Sequence, residues 1–336
     1  MSTLIFVVAF CIVAVLVYMA RFSGRLRVSE RRIIEAPLAE VYGRVADFHQ
    51  WGLWNPWLEH EADAVVQISV GSAGEASRYA WDSARIGSAA IEHLRLAALE
   101  IIDQRMGFVQ PFRFRGRGHW QFRPCAAGTE VIWTMKGRVA FSMRAFAQTI
   151  QGMIALDYRY GLDRLASSLE PATAPRYTLS YVGLRDDPGS RYAYSSYSGP
   201  LTGLAQALAP GFAELRRQLA SLGVAVAGAP LAVYLRTNIK LRTTHCRLGL
   251  PIAESELKSI PVHELAPHRA FVVRLQGSRK ALEIAWYHAM QRLRIENIEP
   301  DPRIPPFEVY LKDGELVNEN DCLTELHLPL RLRQQA

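Results

Sequence analysis

Cysteine is scarce: the 336-residue chain has four, Cys11, Cys125, Cys246 and Cys322, each isolated, with no CxxC or similar pair. That excludes a disulfide scaffold and a thiolate metal site. No Cys/His spacing forms a zinc finger, and no segment reads as a helix-turn-helix with a basic recognition helix. A nucleophile elbow, a phosphate loop, a Ser-His-Asp order and a metal-ligand cluster are missing too. Neither a cofactor nor a metal is therefore expected. The net charge is +7, but the positive residues are mostly arginines scattered along the sequence, so no direct contact with nucleic acid is expected.

What is present has room for about two cores at ~100 to 200 residues each. Leu4 to Ala20 is an unbroken apolar run, LIFVVAFCIVAVLVYMA, followed by Arg21, Arg25, Arg27, Arg31 and Arg32. The run predicts a single-pass transmembrane helix, an anchor over residues 1–24 with membrane contact through residues 4–20. The arginines after it keep the C-terminal side in the cytoplasm by the positive-inside rule.

Residues 25–170 read as a first α+β domain. Val28 to Ile34 is a strand, and Ala36-Pro37 opens a helix carrying Leu38, Val41, Tyr42 and Val45 that runs out near Asp47. Phe112 to Arg123 and Thr129 to Gly137 alternate apolar and polar residues, and Pro124 to Gly128 joins them as an antiparallel hairpin. A long helix closes the domain, with Phe146, Ile150, Ile154, Tyr158, Leu162, Leu165 and Leu169 on one stripe. Strand, helix, meander and long terminal helix form a helix-grip arrangement, with an apolar cavity expected between the helix and the bent sheet. Trp54 and Trp57, in Trp51-x-x-Trp54-x-Pro56-Trp57, are candidate ligand contacts whose bland alternative is wall packing. His93 and His119 have no evident carboxylate partner and read as solvated strand residues.

The stretches Ile34-Glu-Ala-Pro37, Val41-Tyr42, Asp47, Trp51 to Trp57, Gly128-Thr129-x-Val131-x-Trp133 and Gly161-Leu162 resemble the polyketide cyclase/dehydrase and lipid-transport superfamily, with its START-like fold. The resemblance implies binding of lipids or aromatic compounds, or a cyclase or dehydratase activity.

Pro171 to Pro175 (residues 171–175) reads as a linker, and residues 176–336 hold an internal repeat. Gly199 follows a strand and precedes a helix, as Gly277 does; Pro230-Leu-Ala-Val-Tyr234 matches Pro306-Phe-Glu-Val-Tyr310, and the closing strands end at Pro251 and Pro329. Each half is strand, helix, strand, strand, and the two would sit about a pseudo-twofold axis with a ligand cleft between them. These landmarks, with Tyr194, Tyr197, Trp286 and Phe307 to Tyr310, resemble the GyrI-like small-molecule-binding (effector-binding) family. The resemblance implies amphipathic, cationic or aromatic ligands held among aromatics around a carboxylate.

Overlaying the halves leaves one residue that symmetry does not explain: Glu308 falls where the first half has Ala232. Glu308 and Tyr310 share a strand face, and if Phe307 and Val309 pack on the helix, the carboxylate looks away from it. It is the candidate counter-charge for a cation, or a catalytic base toward water, with Tyr194, Tyr197, Tyr234, Trp286 and Tyr310 as wall candidates. Its bland alternative is an outward-facing strand glutamate. Glu325 and His327 also share a face and read as the polar side of a solvated strand; His245 and His268 have no ligand-spaced partners. The expected function is a membrane-tethered binding protein or sensor for small amphipathic, aromatic or cationic molecules. The alternatives are a hydrolase using Glu308, and a carrier or cyclase acting through the START-like domain.

Overall fold

Alternation of Leu26, Val28 and Ile34 with arginines makes Arg25–Ile34 a strand with one buried side. It is β1 of a computed structural model that describes residues 2–61, 64–69, 71–109, 113–171, 176–238, 241–253, 256–312 and 318–331. By their own contacts the residues divide into two compact units, Met1–Ala174 and Pro175–Ala336. Of the linker read at 171–175, residues 172–175 lie outside the described residues, as does Phe112 at the start of the expected hairpin.

The first unit begins with α1 (Ser2–Ala20), formed by the apolar run. The transmembrane reading does not stand: among the described residues no helix is long and apolar enough to cross a membrane. At ~1.5 Å per residue the run from Leu4 to Ala20 spans roughly 25 Å, short of a ~30 Å hydrocarbon layer. The single-pass assignment and the orientation that followed from it both fall with that length.

After β1 come α2 (Leu38–Ala46), β2 (Val65–Ile68), β3 (Arg78–Asp82), β4 (Ala89–Ala97), β5 (Ile101–Phe108), β6 (Phe114–Cys125), β7 (Gly128–Val139) and α3 (Ala147–Ser167). The strands form one antiparallel sheet in the order β1-β7-β6-β5-β4-β3-β2. Gly128 closes the β6–β7 hairpin at φ +122°, and a Cβ there would stand 2.2 Å from the Ile34 carbonyl oxygen. Only glycine fits that turn. Ile150, Tyr158, Leu162 and Leu165 of α3 are buried, whereas Phe146, expected to start their stripe, lies in the preceding turn and is 54% exposed.

The second unit runs β8 (Tyr177–Asp187), β9 (Ser190–Pro200), α4 (Leu201–Ser221), β10 (Leu231–Asn238), β11 (Thr243–Pro251), β12 (Val262–Leu265), β13 (His268–Gly277), α5 (Leu282–Ile295), β14 (Phe307–Lys312) and β15 (Leu323–Pro329). Its antiparallel sheet has the order β12-β9-β11-β10-β14-β15-β13-β8. The expected halves, β9-α4-β10-β11 and β13-α5-β14-β15, occupy the middle and meet along β10 and β14. Each half also has a leading strand that sequence reading missed, and the two are exchanged. β8, ahead of the first half, pairs with β13 of the second, while β12, ahead of the second half, pairs with β9 of the first.

Both helices lie on one face of this sheet. Leu204, Leu208, Phe212, Leu215 and Leu219 of α4 pack on Ala193, Cys246 and Leu248. Ala285, Ala289 and Leu293 of α5 pack on Phe271, Val273 and Leu326. The opposite face gathers Tyr192, Leu231, Val233, Leu265 and Phe307.

Candidate ligand-binding site

The seam between the halves is three residue pairs long, Leu231 with Val309, Ala232 with Glu308 and Val233 with Phe307. Equivalent positions of the repeat, Ala232 and Glu308, are thus direct cross-strand partners on the pseudo-twofold axis. Alanine on one side leaves room for the carboxylate on the other. Glu308 and Tyr310 point toward the helices, against the expectation that they look away, and Phe307 and Val309 take the other face. The expectation failed because the helix-covered face here is the one with the polar residues at its centre.

Glu308 is completely buried. Its Oε1 accepts the Tyr234 hydroxyl at 2.8 Å and the Trp286 indole N–H at 2.5 Å, and its Oε2 accepts the Tyr310 hydroxyl at 2.5 Å. Tyr234 and Tyr310 are themselves repeat equivalents, so the symmetric pair of phenols grips the two oxygens of the one asymmetric acid. Trp286 from α5 meets the Tyr234 ring edge-on at 5.6 Å, and Phe212 from α4 meets the Tyr310 ring likewise at 5.6 Å. The rings fill the space around the carboxylate; Tyr234 and Trp286 are its half-buried members.

Electrostatically the site is short of positive charge. Every hydrogen bond to Glu308 comes from a neutral donor, and among the described residues no basic side chain forms an ion pair with it. Arg279, its guanidinium carbon 5.1 Å from the centre of the Tyr310 ring, supplies a remote positive charge. Desolvation outweighs the donors and that charge, and holds the Glu308 carboxyl above its ordinary pKa. The same burial, with the carboxylate beside them, pushes the Tyr234 and Tyr310 phenols well up.

The other candidates lie elsewhere. Tyr197 is on the helix side but donates its hydroxyl to the Pro200 carbonyl at 2.7 Å. Tyr194 lies on the opposite face, under the Arg247 guanidinium at 4.7 Å. Trp54 and Trp57 belong to the first unit's interior. Trp54 is fully buried and gives its N–H to the Arg44 carbonyl; Trp57 stacks on Trp81 and meets Trp133 and Tyr158 edge-on. With Trp120, these rings occupy the space between α3 and the sheet where a cavity was expected.

Three polar groups read as solvated are held otherwise. His93 is buried flat against Phe48, its Nε2 on the Ala46 carbonyl and its Nδ1 on the Gln104 amide, and desolvation lowers its pKa to about 4. His119 does have a carboxylate, Asp103, at 2.6 Å, brought by the β5–β6 register. Glu325 and His327 are each 2% exposed. Arg185 and Arg274 clamp Glu325 at 2.6 and 2.7 Å, and His327 lies between Glu325 and Asp187 at 3.4 Å from each. Burial would depress the His327 pKa, but the two acids beside it hold it above its usual value. The signal available in sequence was Leu323–Pro329 itself, too apolar for a strand with one wet face.

An antiparallel sheet closed by a long C-terminal helix over an aromatic interior now stands for the first unit. Residues 25–170 match the family described as polyketide cyclase / dehydrase and lipid transport. The cyclase/dehydrase-type match covers the seven-stranded sheet, α2 and α3. No curated protein matches the chain. Several solved structures are similar to part of it. Protein CV1439 from Chromobacterium violaceum shares 18% identity at TM-score 0.35, over 43% of this chain and 97% of that one. The C-terminal domain of EcmrR shares 16% at TM-score 0.39, over 47% and 99%. Protein MLL2253 from Mesorhizobium loti shares 14% at TM-score 0.33, over 42% and 94%.

Proposed function

We propose that the second unit binds small amphipathic organic cations, aromatic ones included, with Glu308 as their counter-charge, and that the chain works as a binding protein or sensor. The observation that carries the reading is a fully buried carboxylate held only by two phenols and an indole. Withdrawing a carboxylate from water costs several kcal/mol, and neutral donors return only part of it. A cation arriving beside Glu308 supplies the missing compensation. Aromatic faces around it add about 0.5 to 2 kcal/mol per cation contact. Displacement of the half-buried Tyr234 and Trp286 rings admits the ligand.

The hydrolase reading has less behind it. A base that activates water must present a lone pair to it, and of the carboxylate's roughly four acceptor sites Tyr234, Trp286 and Tyr310 already take three. For the first unit, the family match supports an apolar or lipid ligand.

Calorimetric titration of the full chain with benzyl- and alkylammonium cations, each paired with a neutral isostere, tests the reading. Cations are expected to bind at least about tenfold more tightly than their isosteres, the equivalent of one ~1.4 kcal/mol increment. Equal affinities within every pair would reject the counter-charge role.

A further inference from the structure

The basic residues of the first unit are scattered only in sequence. The sheet register brings six of them into two rows on the solvent side. In the first row Arg25 of β1 stands opposite Arg138 of β7, which stands opposite Arg115 of β6; in the second, Arg27 stands opposite Lys136, opposite Arg117. All six are exposed. Neighbours within a row are ~5 Å apart and the rows ~7 Å apart, so the cations form one contiguous patch. Among the described residues no carboxylate pairs with any of the six. The acids closest to the rows are already engaged, Glu92 with Arg105 and Asp103 with His119.

Like charges directly opposite each other weaken a sheet. Charge on β1 has an ordinary explanation, since β1 is an edge strand and charged edges resist stray pairing. That explanation does not extend to β6 and β7, which are flanked by strands on both sides. The patch is thus a repulsion that the fold tolerates at interior positions, and a polyanion would relieve it.

Two features choose among polyanions. The rows contain no aromatic side chain for stacking nucleobases, and a flat sheet face does not enter a groove. α1, which ends five residues before Arg25, exposes Phe6 and Phe10 at 75% each, with Val13 and Val17. An apolar segment joined to a polybasic patch is the combination that holds a protein on a lipid surface without crossing it. We propose that this face of the first sheet docks flat on the headgroups of an anionic phospholipid bilayer, its arginines on the phosphates.

Flotation of the full chain with vesicles of phosphatidylcholine, alone or with about 30% phosphatidylglycerol, tests this. The expected result is at least about tenfold stronger partitioning onto the anionic vesicles, lost on raising salt to about 1 M. Arg115→Glu/Arg117→Glu/Lys136→Glu should reduce it by at least about tenfold, and Arg115→Gln/Arg117→Gln/Lys136→Gln by a smaller factor, a graded pair that misfolding would not produce. Arg216→Glu/Arg236→Glu/Lys258→Glu, the same charge change at exposed sites of the second unit, should leave partitioning within about twofold of the parent. The proposal is overturned by equal partitioning onto neutral vesicles, by an equal loss in the second-unit variant, or by duplex DNA displacing the protein from the vesicles.

Discussion

Replacing Glu308 by glutamine removes the charge and keeps the shape. The amide oxygen still accepts from Tyr234 and Trp286, and the amide nitrogen donates to Tyr310 once that hydroxyl rotates. At most one of the bonds weakens, worth ~1 kcal/mol. Against that, the substitution relieves the desolvation that raises the Glu308 pKa, and each unit of such a rise is ~1.4 kcal/mol. The ligand-free variant should therefore match or exceed the parent in stability near neutral pH. The sign of the pH dependence follows from the same shift. Between the unfolded carboxyl pKa near 4.5 and the higher folded one, the folded state binds more protons, so Glu308 makes the parent gain stability as pH falls through that window. The glutamine variant lacks that gain, and subtracting the two curves cancels every other titrating group. Hydrogen exchange on peptides from β10 and β14, in graded urea from about pH 7 to about pH 4.5, reads the difference. A variant less stable than the parent by more than ~3 kcal/mol at pH 7 would refute the reasoning, because the fold would then depend on the charge itself.

The two tyrosines should not be equivalent. Oε1 has two donors and Oε2 one, so Tyr310→Phe leaves an oxygen bare and should cost ~1 to 3 kcal/mol, more than Tyr234→Phe; equal losses in urea unfolding would count against the assigned bonding. In the first unit, burial depresses the His93 pKa to about 4 from 6.5, so the unfolded state takes up the proton first and stability is lost as pH falls through that interval, by roughly 3 kcal/mol. Tryptophan fluorescence follows that unit, since every tryptophan but Trp286 belongs to it, and a pH-independent urea midpoint across the interval would sink the prediction.

Local patterning made much of this legible. The α3 stripe, the β6–β7 hairpin and the matched halves of the repeat all follow from spacing of apolar residues and glycines. Glu308 stood out because one half of the repeat serves as a control for the other. What stayed hidden depends on pairing between distant segments. β12 is four residues long and β8 lies far from β13 in sequence, so nothing local announces their exchange. Glu325 and His327 alternate as on a wet strand, yet β15 lies between β13 and β14 and both residues are covered. The arginine rows needed a register to become rows.

The exchanged leading strands mean that neither repeat is a complete object. A lone first repeat would offer the bare edge of β9 and carry a β8 with no bed, and a second copy would mend both by domain swapping into a twofold dimer. On the axis of that dimer alanine would face alanine, leaving no charge. A dimer of second repeats would press two glutamates together, where they could not both ionise. Joining unlike copies in one chain is what allows a single carboxylate to sit on an axis of symmetry.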